Sequence, residues 1–295
     1  IPSGPAEAIP AGPVTHPIMA VKKKQRFAPQ ATHQLFNRPW WTLETVRPDS
    51  HILRFDQVAA GWERWIMLSS DRHWDNIHSE HELMLRHLDE ARTRDALILD
   101  AGDFFCAMQG RADPRASGDA LRPEHKTDRY LDSLVDTAGK FFAPYAKHFA
   151  IVGHGNHETK VLKHYGTDLI DRVTEKMRAA GGVTMPGAYA GWVTLRFAIQ
   201  QTVSLRKVIR YFHGAGGGGP VTRGTIQTNR MAVNWPDADI VMSGHTHDSW
   251  VVQVVRERVT LNGIPFKDLA HHVRIPTYKD EYKAGMGFQV EKGNN

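Results

Sequence analysis

Five places in this chain gather oxygen and imidazole side chains at spacings that suit metal coordination: Asp71/His73, Asp103, Asn156/His157, His213 and His245/His247. Each follows a short apolar run and a break, and an α/β enzyme keeps its chemistry at the carboxyl ends of its strands. Taken singly, each has a bland explanation. An Asp-x-His is usually a polar turn, a histidine after a strand is usually a hydrogen-bonded interior residue, and Asn-His-Glu commonly caps a helix. Together they offer little but carboxylate, carboxamide and imidazole, a set that suits Mn²⁺, Fe²⁺ or Zn²⁺. Residues two apart, as in Asp71/His73 and His245/His247, point the same way on an extended backbone, so both can reach one ion. The donors outnumber the four of a closed zinc site, which predicts two ions.

The elements that must position these residues are legible in outline. Arg64–Ser70, Ala96–Leu99, Phe149–Val152, Leu205–Phe212 and Ala238–Met242 read as strands, and each leads into one of the five groups. Phe149–Val152 opens the richest of them, FAIVGHGNHE, where Gly153 and Gly155 allow a close backbone turn. Helices are predicted over Ser79–Ala91, Asp128–Phe142 and Asp168–Ala180, the last stopped by Gly181-Gly182. Trp192–Gln200 is a further β segment. From Trp250 to Val290 the alternation of apolar and polar residues, with a turn at Asn262-Gly263, predicts an antiparallel meander. Between Asp103 and the helix at Asp128 runs an irregular excursion carrying Arg111, Arg115, Arg122 and Lys126, longer than packing requires.

Composition narrows the classes. The 295 residues are 41% hydrophobic with a mean hydropathy of −0.43, enough for one sizeable core and no membrane span. A formal charge of +5 mildly favours anionic partners, nucleic acid among them. The single cysteine, Cys106, excludes an internal disulfide and a thiolate metal set. It fits a reducing, cytoplasmic setting, and the first residues lack the apolar core of a signal peptide. Residues 1–30 are Pro-rich with a basic run at Lys22–Arg26 and read as an extended arm; residues 31–295 read as a single catalytic domain. Two tempting patterns fail. His81-Glu82 meets Leu85 where a metalloprotease needs histidine, and Gly214–Gly219 lacks the GK[ST] of a phosphate loop; it reads as a hinge beside His213, in preference to a lid whose backbone N–H groups meet phosphate.

The ordered set of DxH, GD, GNHE, an isolated histidine and GHTH resembles the calcineurin-like metallophosphoesterase superfamily, and phage- or prophage-type members in particular. The resemblance runs from Asp71 to His247. It implies an α/β/β/α fold, a sandwich of two mixed β-sheets flanked by helices, with a dinuclear site at the strand ends. Asp71, His73 and His247 would hold one metal, and Asn156, His213 and His245 the other, with Asp103 as the bridge. His157 would be the catalytic histidine. The implied cofactors are two divalent ions, Mn²⁺ foremost, with Fe²⁺, Zn²⁺ or Ni²⁺ as alternatives. The implied activity is hydrolysis of a phosphate ester by a metal-bridging hydroxide, a phosphodiesterase before a phosphomonoesterase. A DNA or RNA nuclease of the same superfamily is the alternative. A nucleic-acid-binding or assembly protein with a structural metal site is the alternative of a different class. One position departs from the pattern: where many members carry a second aspartate that orients the catalytic histidine, this chain has Cys106.

Overall fold

The structure, a computed structural model, describes residues 40–56, 58–109, 118–199, 204–216, 224–280, 282 and 290. The N-terminal arm with Lys22–Arg26, and Arg111 and Arg115 of the excursion, lie outside these residues. In chain order the elements are β1 (Thr42–Arg47), β2 (Ser50–Phe55), β3 (Ile66–Ser69), α1 (His81–Thr93), β4 (Leu97–Asp100), α2 (Tyr130–Phe142), β5 (Phe149–Val152), α3 (Asn156–Tyr165), α4 (Leu169–Ala179), β6 (Met185–Pro186), β7 (Ala190–Ala198), β8 (Ser204–Phe212), α5 (Thr225–Asn234), β9 (Ile240–Ser243), β10 (Trp250–Val259) and β11 (Pro265–Arg274).

The fold is mixed α/β, with one large mixed sheet and one parallel sheet flanked by helices. The large sheet runs β1-β2-β7-β8-β9-β11-β10, with β2/β7, β8/β9 and β9/β11 parallel and the remaining pairs antiparallel. The small sheet, β3-β4-β5-β6, is parallel throughout, so it departs from the two mixed sheets that the sequence resemblance implies. Every residue of β4 and β5 is buried. A strand covered on both faces needs a continuous apolar run rather than alternation, and LIL and FAIV supply it. Leu97, Leu99 and Ile151 join Leu53, Val193, Ile209 and Met242 of the large sheet in one cluster. Ile98, Phe149 and Val152 join Leu88, Leu134, Phe142 and Val173 of α1, α2 and α4 in another.

Two expectations change in detail. The predicted meander is a β10–β11 hairpin whose second strand returns parallel to β9, with no third strand among the described residues. A helix, α3, also starts at Asn156 itself, before the predicted one. The helix predicted from Asp168 is α4, with Asp168 as its cap: Oδ1 accepts the N–H groups of Ile170 and Asp171 at 3.0 Å each.

Beneath the strand ends lies a buried ion pair. Arg72, between the two candidate ligands Asp71 and His73, points into the helical layer, where its guanidinium lies 5.2–5.7 Å from the rings of Phe104, Phe142, Phe149 and Tyr278. Its Nε donates to Asp100 Oδ2 at 2.7 Å and its Nη2 to Ser69 Oγ at 2.8 Å. Asp100 also accepts the Gly102 N–H at 3.1 Å, so it ties the core charge to the turn above. Removing one partner of such a pair strands the other charge in the core. Asp100→Ala is therefore expected to lower the unfolding free energy by about 3–5 kcal/mol in urea titrations; a loss below about 1 kcal/mol, as for an exposed pair, would contradict this account.

Candidate metal centre

The carboxyl ends of β3, β4, β5, β8 and β9 bring all eight predicted site residues to one place. Asp71, His73, Asp103, His157 and His213 are buried there, and Asn156, His245 and His247 are half-buried. The backbone that aims them is not extended. Asp71, His73, Asp103, His245 and His247 all have positive φ, between 46° and 73°. This corrects the simple two-residue alternation expected of the pairs. Asp71 and His73 do converge, but His245 and His247 are turned apart, His247 toward Asp71 and His245 toward Asp103.

Main-chain bonds lock these turns together. Asp71 N–H donates to Gly102 O at 2.9 Å, His73 N–H to Asp103 O at 3.0 Å and Gly244 N–H to His213 O at 2.8 Å. Carboxylates take part too, with His245 N–H donating to Asp71 Oδ2 at 2.9 Å and His157 N–H to Asp103 Oδ1 at 3.0 Å. Two glycines are required by contact. A Cβ at Gly155 would sit 2.0 Å from Asp103 Oδ1, and one at Gly244 would sit 2.1 Å from Asp71 Oδ2.

The donor atoms fall into three overlapping groups, each within 4.8 Å: Asp71/His73/His247, Asp103/His213/His245, and His73/Asp103/His157. In the first, His73 Nε2 and His247 Nε2 are 3.1 Å apart, and both approach the buried Asp71 Oδ1, at 3.9 and 3.4 Å. Three potential ligand atoms thus converge within 4.8 Å in a buried place, an arrangement that a cation would satisfy. In the second, His213 Nδ1–H donates to Ala101 O at 3.1 Å, which turns Nε2 to the cluster, 3.1 Å from both Asp103 Oδ2 and Asn156 Oδ1. A backbone carbonyl that fixes the tautomer of a ligating histidine is the usual outer-shell arrangement.

Protonation fits the same reading. Burial would raise Asp71, but His247 and His213 outweigh it and hold the carboxyl down at about 2. Burial likewise opposes ionisation of Asp103, and the charges of His157 and His213 hold it well below the usual carboxylate range. Burial, reinforced by His247 and His157, keeps His73 well below the ordinary imidazole value, and burial with His213 lowers His245. His213 is the exception: burial lowers it, but Asp103 draws it up to about 9. A bound cation would take the place of that proton, since ligands must be deprotonated to bind. Two ionised carboxylates beside His73 and His245, both held below the ordinary imidazole value, make a donor set that fits a divalent ion.

His157 is oriented by the main chain. Its Nδ1 donates to the carbonyl oxygen of Cys106, and its Nε2 lies 3.5 Å from Asp103 Oδ2. The Cys106 side chain is buried, with Sγ 3.4 Å from Asn76 Nδ2, and burial pushes its thiol far up, which removes it as a nucleophile. Where the sequence resemblance leads one to expect an aspartate, a backbone carbonyl is the acceptor. That carbonyl is held in turn by Asp75, which accepts the N–H groups of Cys106 and Ala107 at 2.6 and 3.0 Å and the Tyr130 hydroxyl at 2.8 Å.

Sequence reasoning missed Asp75 and Glu158. Glu158, fully buried, accepts Gly155 N–H and Phe105 N–H at 2.8 Å each and so staples the β4 and β5 turns together. Burial and the Asp103 charge push its carboxyl up to about 8, while the two N–H donors pull the other way. Its place at the end of GNHE was the available signal. His81 stays outside the cluster, stacked on Trp74 at 4.0 Å. Arg122 donates to the carbonyls of Asn76 and Ser79 at 3.2 and 2.6 Å, so its guanidinium serves the excursion itself, and Lys126 is exposed.

Fold and site together define a mixed α/β protein whose strand ends carry buried histidine–aspartate groups able to hold a metal ion. A scan against protein-family models finds no match for the chain, and a search of curated proteins finds none either. Among the described residues no helix is long and apolar enough to cross a membrane.

Proposed function

We propose that this chain is a dinuclear-metal-dependent phosphoric ester hydrolase of the calcineurin-like metallophosphoesterase type, acting on phosphodiesters. The observation that carries the reading is the position of Asp103, which belongs to two donor groups at once, beside His213/His245 and beside His73/His157. A carboxylate so placed suits a bridge between two ions. Asp71, His73 and His247 would hold one, Asn156, His213 and His245 the other. The two sheets with outer helices are compatible with the sandwich of that superfamily.

Bound divalent cations would supply Lewis acidity and an activated water. The protein's own part is then to bind, orient and move a proton. Two dications against two aspartates leave the pocket positive toward an anionic ester. His157, anchored through Nδ1 on the Cys106 carbonyl, presents Nε2 to the side where a leaving oxygen needs a proton. Mn²⁺ is the ion the resemblance puts first, and the imidazole-rich donor set suits Fe²⁺, Zn²⁺ and Ni²⁺ as well. A DNA or RNA nuclease of the same superfamily is the alternative reading; Arg122, bonded to the Asn76 and Ser79 carbonyls, adds nothing to it.

The test combines metal analysis with hydrolysis of an aryl phosphodiester. Purified protein should hold two divalent ions per chain, chelation should abolish turnover and Mn²⁺ should restore it. Full activity in metal-free protein would sink the reading. So would a fully loaded protein inert toward mono- and diesters, which would point instead to a structural metal in a binding or assembly protein.

A further inference from the structure

The large sheet ends on β10, a ten-residue strand with no neighbour beyond it among the described residues. Edge strands are normally short, charged, bulged or covered, because their open backbone recruits other strands. This one is long, and its charges are confined to Arg256, Glu257 and Arg258. Val251, Val255 and Val259 are 63%, 65% and 64% exposed, and Leu269, opposite Val255, is 42% exposed. These residues share one face of the hairpin, since alternate positions on a strand do. Val273, on the same face, packs into the core between the sheets, and beyond it the face is open to solvent.

The backbone direction can be read as well. Thr260 N–H donates to Ile264 O, so by antiparallel alternation the even-numbered residues of β10 bond to β11. Val251, Gln253, Val255, Glu257 and Val259 therefore turn their N–H and C=O groups outward. Pro265 agrees with this parity, because it stands opposite Val259, where no N–H is needed.

We infer that β10 pairs antiparallel with β10 of a second copy of this chain, centred on Val255 about a two-fold axis normal to the sheet. The side-chain pattern selects that register. It sets Val255 against the partner's Val255, Val251 against the partner's Val259 and Gln253 against the partner's Glu257. On the other face Val252 meets the partner's Arg258 and Val254 the partner's Arg256. Moving the centre to residue 256 opposes Arg256 to itself, and moving it to 257 opposes Glu257 to itself and Arg256 to Arg258. Moving it to 254 sets Glu257 against Val251. Like charges directly opposite on a sheet are destabilising, so the Val255-centred register is the matched one.

The test is the mass of the full chain in solution, by sedimentation or light scattering at micromolar concentration. Wild type should give twice the 33.2 kDa chain mass. Val255→Lys and Val255→Asp should each give single chains, because equal charges then meet across the axis. An equimolar mixture of the two should return to the doubled mass, since only the mixed pair sets Lys against Asp. Circular dichroism and metal content should match wild type in both, as the side chain is exposed and belongs to none of the donor groups. A monomeric wild type, variants that stay dimeric, or a mixture that stays monomeric would each overturn the assignment.

Discussion

His157→Ala should keep the metal content of wild type and lose ~10²–10⁴-fold in kcat toward a phosphodiester, the range of a general acid that acts in the transition state. The hydrogen bonds of His157 set this expectation. Nδ1 is committed to the Cys106 carbonyl, and the main-chain N–H, which donates to Asp103 Oδ1, survives the substitution. Asp103 therefore keeps one of its supports when the ring is removed. KM should move less than kcat, because the ring matters most when the leaving oxygen gathers charge. A substrate with a very good leaving group should lose less than one with a poor one, since it needs less protonation. His157 also offers a ring nitrogen within 4.8 Å of donor atoms of His73 and Asp103. If the variant loses an ion, the histidine is a ligand and the assignment of acid fails.

Asp103→Ala should empty both positions, whereas His247→Ala and His245→Ala should each leave one ion. Asp103 alone with His213 and His245 forms the second group, and it also completes the third, so its removal opens both sides. The substitution further removes the acceptor of the His157 N–H and the partner that draws up His213. Loss of the cations forfeits several kcal/mol of transition-state stabilisation, which at 1.36 kcal/mol per factor of ten is a fall of at least ~10³-fold. Thermal stability gives an independent readout. An ion at ~100 times its Kd stabilises the folded chain by about 2.7 kcal/mol, so wild type should melt higher with added metal and Asp103→Ala should not. Retention of two ions by Asp103→Ala would remove the bridge from the proposal.

The five strand ends were legible because β4 and β5, buried on both faces, must be written as unbroken apolar runs, and a polar residue straight after such a run stands out. The sheet of β1 and β2 was not drawn from the sequence, although SHILRF alternates with His51, Leu53 and Phe55 buried. Those six residues are too short to separate from other amphipathic segments by pattern alone. The start of α3 at Asn156 was hidden for a related reason: HETKVLKHY is largely polar, and of its apolar residues only Val161 is buried. What orients His157 lay beyond any reading of side chains. A carbonyl oxygen belongs to every residue, so the identity of Cys106 gives no sign that its main chain is the acceptor.

The left-handed turns of the centre carry a further meaning, about what has shaped the chain. A residue with a Cβ costs roughly 1–2 kcal/mol in that backbone region, although aspartate and histidine are among the side chains found there most readily. Asp71, His73, Asp103, His245 and His247 all sit in it. Against a total stability of about 5–15 kcal/mol, five such positions are a substantial burden. Glycine at any of them would relax the main chain, and selection for durability alone would drift toward it. The chain keeps five ionisable side chains where glycine would relieve the backbone, so glycine at any of them should ease the turn while removing one donor from the cluster.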